Sequence, residues 1–287
     1  MTELTVTQGD NAHPTEDLMH LLAQAEKRVR EQPTYPEHRW AMVEVLCTLC
    51  QWDRALAQLQ AWARFVPEGA ARAHLTRGLI QAETQRAQVF LGKQLPGVGV
   101  DCPPWMSQLA QALAYNAQGL HQNADDCRQQ ALAAAPVRSG LCQWTDTQQE
   151  SETHPETSFE WLADSDTRLG PVCEVMMAGA YRWLAFSDVA RIQIAPPQHA
   201  LDLIWLPARL QLHSNGATGK TMHVYLPARS CWTTAPEAPD MSQQAMLRSR
   251  LTAWTEVGES GIFSSGQKTW MTDGIDWPLL DVREERT

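Results

Sequence analysis

Four short stretches of this chain carry residue types whose spacing could do chemistry. Ser214-Asn-Gly-Ala-Thr-Gly219-Lys220-Thr221 departs from a phosphate-binding P-loop by one residue, a Ser where the first Gly belongs. A P-loop works because a strand feeds a glycine-rich turn that opens a helix, aiming backbone N–H groups at phosphate. Here Thr221-Met-His-Val-Tyr-Leu226 follows and alternates as a strand does, so the segment reads as a hairpin turn. Gly261-Ile-Phe-Ser-Ser-Gly266-Gln-Lys-Thr269 carries an extra Gln and also runs into a strand. Cys47-Thr-Leu-Cys50 has the spacing of a zinc or redox pair, but no second CxxC or paired His follows it. The pair lies on the apolar stripe of a helix, where free Cys packs as a small hydrophobe.

Asp164-Ser-Asp166 is the fourth, a carboxylate pair. Together with His223 it defines one enzymatic alternative, a metal-dependent hydrolytic site. With Arg168, Gly170 and Pro171 close behind, it equally suits a turn in which Asp side chains accept backbone N–H groups. The nine His are spread along the chain without metal-ligand spacing, and no GxSxG elbow offers a nucleophile. Leu-Pro-Ala-Arg occurs at 206–209 and again at 226–229, which reads as two matched flanks of one hairpin. Catalysis is not demanded by any of these patterns.

The elements that would position these residues fall into two kinds. From 16 to 138 the apolar period is helical. Leu18, Leu21, Leu22, Ala25 and Val29 share one face, Pro36 suits the first turn of a second helix, and a third begins near Asp53 and closes at Pro67. Pro33 and Pro67 are 34 residues apart, the period of a tetratricopeptide (TPR) hairpin, with Leu46 and Ala55 at its large and small packing positions. A second hairpin starts after Pro103-Pro104, and the stretch 70–99 between them is a poorer match. Beyond the polar segment 143–158 the period shortens to two. Strands are expected at 172–178, 181–186, 191–194, 208–213, 221–226 and 268–272, with one helix over 247–254.

The expected organisation is therefore α+β in two domains. A flexible N-terminus (1–14) precedes a TPR-like helical domain (15–142), a linker (143–158) and a small β-rich domain (159–287), a curled sheet or partial barrel. The chain has 287 residues, enough for two cores, and is 44% hydrophobic. Its net charge of −10 is shared evenly, with 12 basic against 17 acidic residues up to 155 and 11 against 16 after it. That balance argues against a nucleic-acid partner, which needs a basic face. No signal peptide and no span of 18 apolar residues is readable, and seven scattered Cys do not suggest a disulfide framework. A cytoplasmic protein without membrane insertion is expected. Twelve Trp against five Phe and four Tyr is the compositional oddity, and Trp is enriched where surfaces anchor partners.

One further pattern is specific. Phe159-Glu-Trp-Leu-Ala-Asp-Ser-Asp-Thr-Arg-Leu-Gly-Pro-Val172 resembles the signature of the ImpE/TagJ family, accessory proteins of bacterial type VI secretion systems. Pro196-Pro197, Asp202-Leu-Ile-Trp-Leu-Pro-Ala-Arg209 and Leu279-Leu-Asp-Val-Arg283 support it, as do Arg39-Trp40, Trp52-Asp-Arg-Ala-Leu56 and Pro103-Pro-Trp105 in the first half. The resemblance implies a non-enzymatic adaptor without a cofactor or metal. Its implied partners are the N-terminal helix of the small contractile-sheath subunit (TssB-like) and the disassembly ATPase (ClpV-like). A helix-in-groove complex needs an apolar trough with aromatic anchors. Trp161, Arg168, Trp205 and Arg209, which lie in the family-like segments, are the residues nominated to face that partner.

Overall fold

The computed structural model describes residues 3–8, 16–99, 102–144, 155–214 and 217–287. The helical half contains α1 (Leu18–Glu31), α2 (Pro36–Thr48), α3 (Trp52–Phe65), α4 (Ala70–Phe90), α5 (Pro104–Ala117) and α6 (His121–Ala134). Asp17 caps α1 by accepting from the Met19 and His20 N–H groups, and Pro36 and Pro104 occupy first-turn positions of α2 and α5. The pairs α2–α3 and α5–α6 pack as hairpins, and the stretch between them is one long helix, α4.

The other half is antiparallel sheet. Its strands are β1 (Glu3–Gln8), β2 (Gly140–Trp144), β3 (Glu156–Phe159), β4 (Leu162–Asp164), β5 (Val172–Met177), β6 (Ala180–Ala185), β7 (Val189–Ile194), β8 (Trp205–Ser214), β9 (Ala217–Thr218), β10 (Met222–Pro227), β11 (Leu251–Val257), β12 (Gly261–Gly266), β13 (Thr269–Thr272), β14 (Trp277–Pro278) and β15 (Val282–Arg286). The large sheet runs β3-β2-β15-β7-β8-β10-β5-β6, with β9 attached to β8. Among the described residues no pairing closes it into a barrel. Two three-stranded sheets, β14-β13-β4 and β1-β11-β12, complete the half.

Four expectations are corrected. Leu247–Trp254 is not one helix. A capping box at Asp240, whose side chain accepts from the Gln243 N–H, starts a short helix α7 (Met241–Leu247), which Ser249 leaves with φ of 54°. The β-branched and aromatic run from Leu251 then forms β11. The expected linker is strand at both described ends, because Cys142 pairs with Thr157 and Gln143 with Glu156; residues 145–154 lie outside the described residues. Within the expected flexible N-terminus, the Glu3-Leu-Thr-Val-Thr run pairs with β11 as β1, while residues 1, 2 and 9–15 lie outside the described residues.

The fourth correction concerns the core. The large sheet has two faces, and its strands alternate between them. Val172, Met176, Tyr181, Trp183 and Trp205 join Leu46, Leu59, Ile80 and Leu109 of the helices in one hydrophobic cluster. Cys173, Val175, Leu206, Leu210 and Val224 join Trp270, Trp277 and Val282 in a second. The two halves therefore share a core rather than each closing its own. At about 1.5–3 kcal/mol for each large side chain removed from water, this shared layer fastens the helices to the sheet.

Candidate functional site

The four residues nominated for a partner do not form one face. Trp205 is only 1% exposed; its indole N–H donates to Glu83 Oε1 at 3.2 Å, and its ring lies 5.9 Å from that of Trp52. Arg168 is held by Asp166 through Nε at 2.8 Å, donates to the Ser264 carbonyl, and stacks over Phe263 at 4.5 Å and Phe90 at 5.0 Å. Both are junction residues and are withdrawn as partner contacts. Trp161 is half-buried and lines a cleft of about 150 Å³ with Leu132, Arg138, Phe186 and Glu285. Arg209 alone is exposed, on β8.

The carboxylates offered for hydrolysis are committed elsewhere. Asp164 is paired with Lys268, which also contacts Glu174. Glu174 accepts two bonds from Arg86 of α4, at 2.7 and 2.8 Å, and one from the Tyr181 hydroxyl at 2.6 Å. Burial opposes ionisation of Glu174, yet Arg86 and Lys268 outweigh it and hold the carboxyl well below the usual range. For Asp164, burial, with Asp166 and Glu174 nearby, prevails over Lys268 and pushes the carboxyl up to about 6. Asp166 is occupied by Arg168 and by the Ser264 N–H and hydroxyl. His223 stands exposed on β10. Among the described residues no three His, Cys, Asp or Glu side chains are placed to hold a metal, so the hydrolytic alternative lacks its constellation. Cys47 and Cys50 are free and buried in the helical core, and burial pushes both thiols up.

The repeated Leu-Pro-Ala-Arg segments pair across the sheet, Leu206 opposite Leu226, but their arginines diverge. Arg229 is buried and donates to the carbonyls of Cys47 and Thr48 at the end of α2, at 3.0 and 2.8 Å, and to that of Leu247. Those carbonyls lie at the negative C-terminal ends of α2 and α7. Sequence reasoning missed this role because it needs contacts about 180 positions apart.

Arg209 instead opens onto a groove. Where α4 leaves the sheet it frames a cavity of about 470 Å³ lined by His74, Leu75, Arg77, Leu79, Met176, Met177, His223 and Tyr225. A second cavity, of about 500 Å³, carries Gln193, Pro196, Pro207, Arg209, His223 and Arg283. His223 lines both, and β-pairing sets it opposite Arg209, which sits opposite Gln193. Gly78 of α4 and Gly179 of the β5–β6 turn approach so closely that a Cβ on Gly78 would lie 3.1 Å from the Gly179 Cα. The floor of the first is methionine and leucine, arginine and histidine stand in the lining of both, and among the described residues no Asp or Glu lines either cavity. A smaller recess of about 160 Å³ continues toward Trp40 and Arg72 and holds Asp202, whose carboxylate accepts the Gln198 and His199 N–H groups. The hydrolytic alternative singled out His223 for a different chemistry. The exposed side of α4, basic and free of acid, is the signal in the sequence that could have located this groove.

Among known proteins, the sequence profile described as "ImpE protein" matches residues 156–286. The type VI secretion system accessory component TagJ of Pseudomonas aeruginosa is 32% identical over 283 residues, spanning 96% of this chain and 92% of that one. A crystallographically solved Vibrio parahaemolyticus protein superposes with a TM-score of 0.77 at 18% identity, covering 94% of this chain and 93% of the other, so the α+β fold is shared. No helix among the described residues is long and apolar enough to cross a membrane.

Proposed function

This chain belongs to the ImpE/TagJ family, and from that premise we propose that it is a non-enzymatic, cytoplasmic accessory protein of a bacterial type VI secretion system. The observation that carries the proposal is the extent of the kinship. The relative named as an accessory component matches along 96% of the chain, so the helical half, the sheet and their shared core are all included. Within that role, the chain acts as an adaptor that captures the first helix of the small sheath subunit and influences sheath assembly or ATPase-driven recycling. The helical pairs α2–α3 and α5–α6 serve as TPR-like hairpins that hold α4 at the partner face. Asp164 and Asp166 are committed to Lys268 and Arg168 rather than to a substrate.

A titration of the full chain with a fluorescent peptide of the sheath subunit's first helix tests this. Saturable binding at micromolar concentration or tighter is the expected outcome, and no binding up to about 100 μM overturns the adaptor reading, since that corresponds to less than about 5.5 kcal/mol.

A further inference from the structure

We infer that the groove between α4 and the β8–β10 face receives an acidic, amphipathic segment of a partner polypeptide, its carboxylates meeting Arg77, Arg209 and His223 and its apolar side chains lying on the methionine floor. This rests on the reading above that the chain captures a partner segment, and adds to it the place and the chemistry.

Charge is the first argument. The chain holds 33 carboxylates and a net charge of −10, yet among the described residues no Asp or Glu lines either groove cavity. α4 has a single acid, Glu83, and it is turned inward to Arg86 and Trp205, while Arg72, His74 and Arg77 stay exposed on that helix. A local cationic face on an acidic protein attracts anions and repels cations, which favours on-rate and selects among partners.

The floor supplies the second. Met176, Met177 and Leu79 lie beneath the rim, and Leu75 is 41% exposed beside them. Thioether side chains adapt to an incoming apolar surface, and a trough of apolar floor and polar rim is the form that takes an amphipathic segment. Both cavities fall in the size range of real ligand sites. The walls of the first cavity come from both halves of the chain and are pinned where Gly78 meets Gly179, so it is formed before binding and little ordering is required. A long polyanion fits less well. Nucleic acid needs many phosphate contacts, and beyond these few cations it would run onto a surface of net negative charge.

The test uses the full chain and the sheath-helix peptide in three forms: native, with its acids changed to amides, and with them changed to lysine. We expect the native form to bind wild type and the Arg77→Glu/Arg209→Glu protein at least 10-fold more weakly. The amide form should lose at least 5-fold, and the lysine form should not saturate. Raising NaCl from 50 to 500 mM on wild type should weaken binding several-fold, because rim charges are screened. Arg250→Glu, an exposed reversal outside the groove, should stay within 2-fold, and circular dichroism checks that each variant folds. Equal affinity of wild type and the double variant, or of the native and lysine peptides, overturns the inference and leaves the adaptor reading standing. Competition by single-stranded DNA at equal concentration of negative charge also overturns it. No binding by any peptide form removes the adaptor reading and the inference together.

Discussion

Arg86 and Arg77 sit on the same helix, and Arg229 and Arg209 end two copies of the same four-residue phrase, yet within each pair the two side chains live under opposite rules. Arg86 and Arg229 are 1% and 2% exposed, and their donors reach carboxylates, helix-end carbonyls and a thiol. Arg77 and Arg209 stand in solvent beside two cavities that no acid lines among the described residues. The contrast separates two uses of one residue type. At the junction a guanidinium satisfies polar groups that folding has already desolvated, so its loss leaves them stranded. In the groove it remains hydrated, adds little to stability, and keeps its donors for something arriving from outside.

The comparison breaks most sharply at Arg86. Arg86→Met leaves Glu174 buried with only Lys268 and Tyr181, and should cost about 3–5 kcal/mol in urea unfolding. Because the core is shared, unfolding should remain a single transition by tryptophan fluorescence and circular dichroism; two separated transitions would contradict the joint core. Trp205→Ala should cost about 3–5 kcal/mol as well, by opening a cavity against Trp52 and leaving Glu83 with Arg86 alone.

Glu285 sharpens the contrast from the other side. Its carboxyl is buried on β15 with neither oxygen hydrogen-bonded, and burial, aided by Glu284, pushes it up to about 8. With the folded value raised above the unfolded one near 4.5, the folded state binds the extra proton between them. Stability tied to this group is thus fully present below about pH 4.5 and is lost as pH rises toward about 8. Glu285→Gln should therefore stabilise the protein by about 1–3 kcal/mol at pH 8 and flatten the pH dependence across that window, read from thermal melts at several pH values. The smallest effect belongs to the groove. Arg77→Gln and Arg209→Gln should each change stability by less than about 0.5 kcal/mol in the same urea assay.

Much of the scaffold was legible in the residues. Pro36 and Pro104 mark helix starts because a first-turn N–H has no partner to lose, and the two-residue alternation of β6, β8 and β10 marks them as strands, although it does not reveal that both faces of their sheet are buried. The family signature at 159–172 was legible as well, and it holds the junction residues Asp164, Asp166 and Arg168. Hidden from the sequence were pairings between distant residues. Arg86 and Glu174 lie 88 positions apart, and nothing local tells Arg209 from Arg229. Trp205 looked like an anchor because Trp serves both cores and interfaces, and only the packing of Trp52 and Glu83 against it decides which. Leu247–Trp254 misled because a helix end and a strand start abut there, joined by Ser249 in a left-handed conformation.

The bare backbone contact of Gly78 with Gly179 sets an aperture. Gly179 sits at φ of 76°, where L side chains are strained, and Gly78 has no room for a methyl group unless its neighbour gives way. Each atom added at position 78 would act as a shim between helix and hairpin, widening the mouth by tenths of an ångström at a time. A graded series from Gly78→Ala to Gly78→Val would thus turn one point of closest approach into a dial for the bore of the groove, set without touching any group that lines its charged rim.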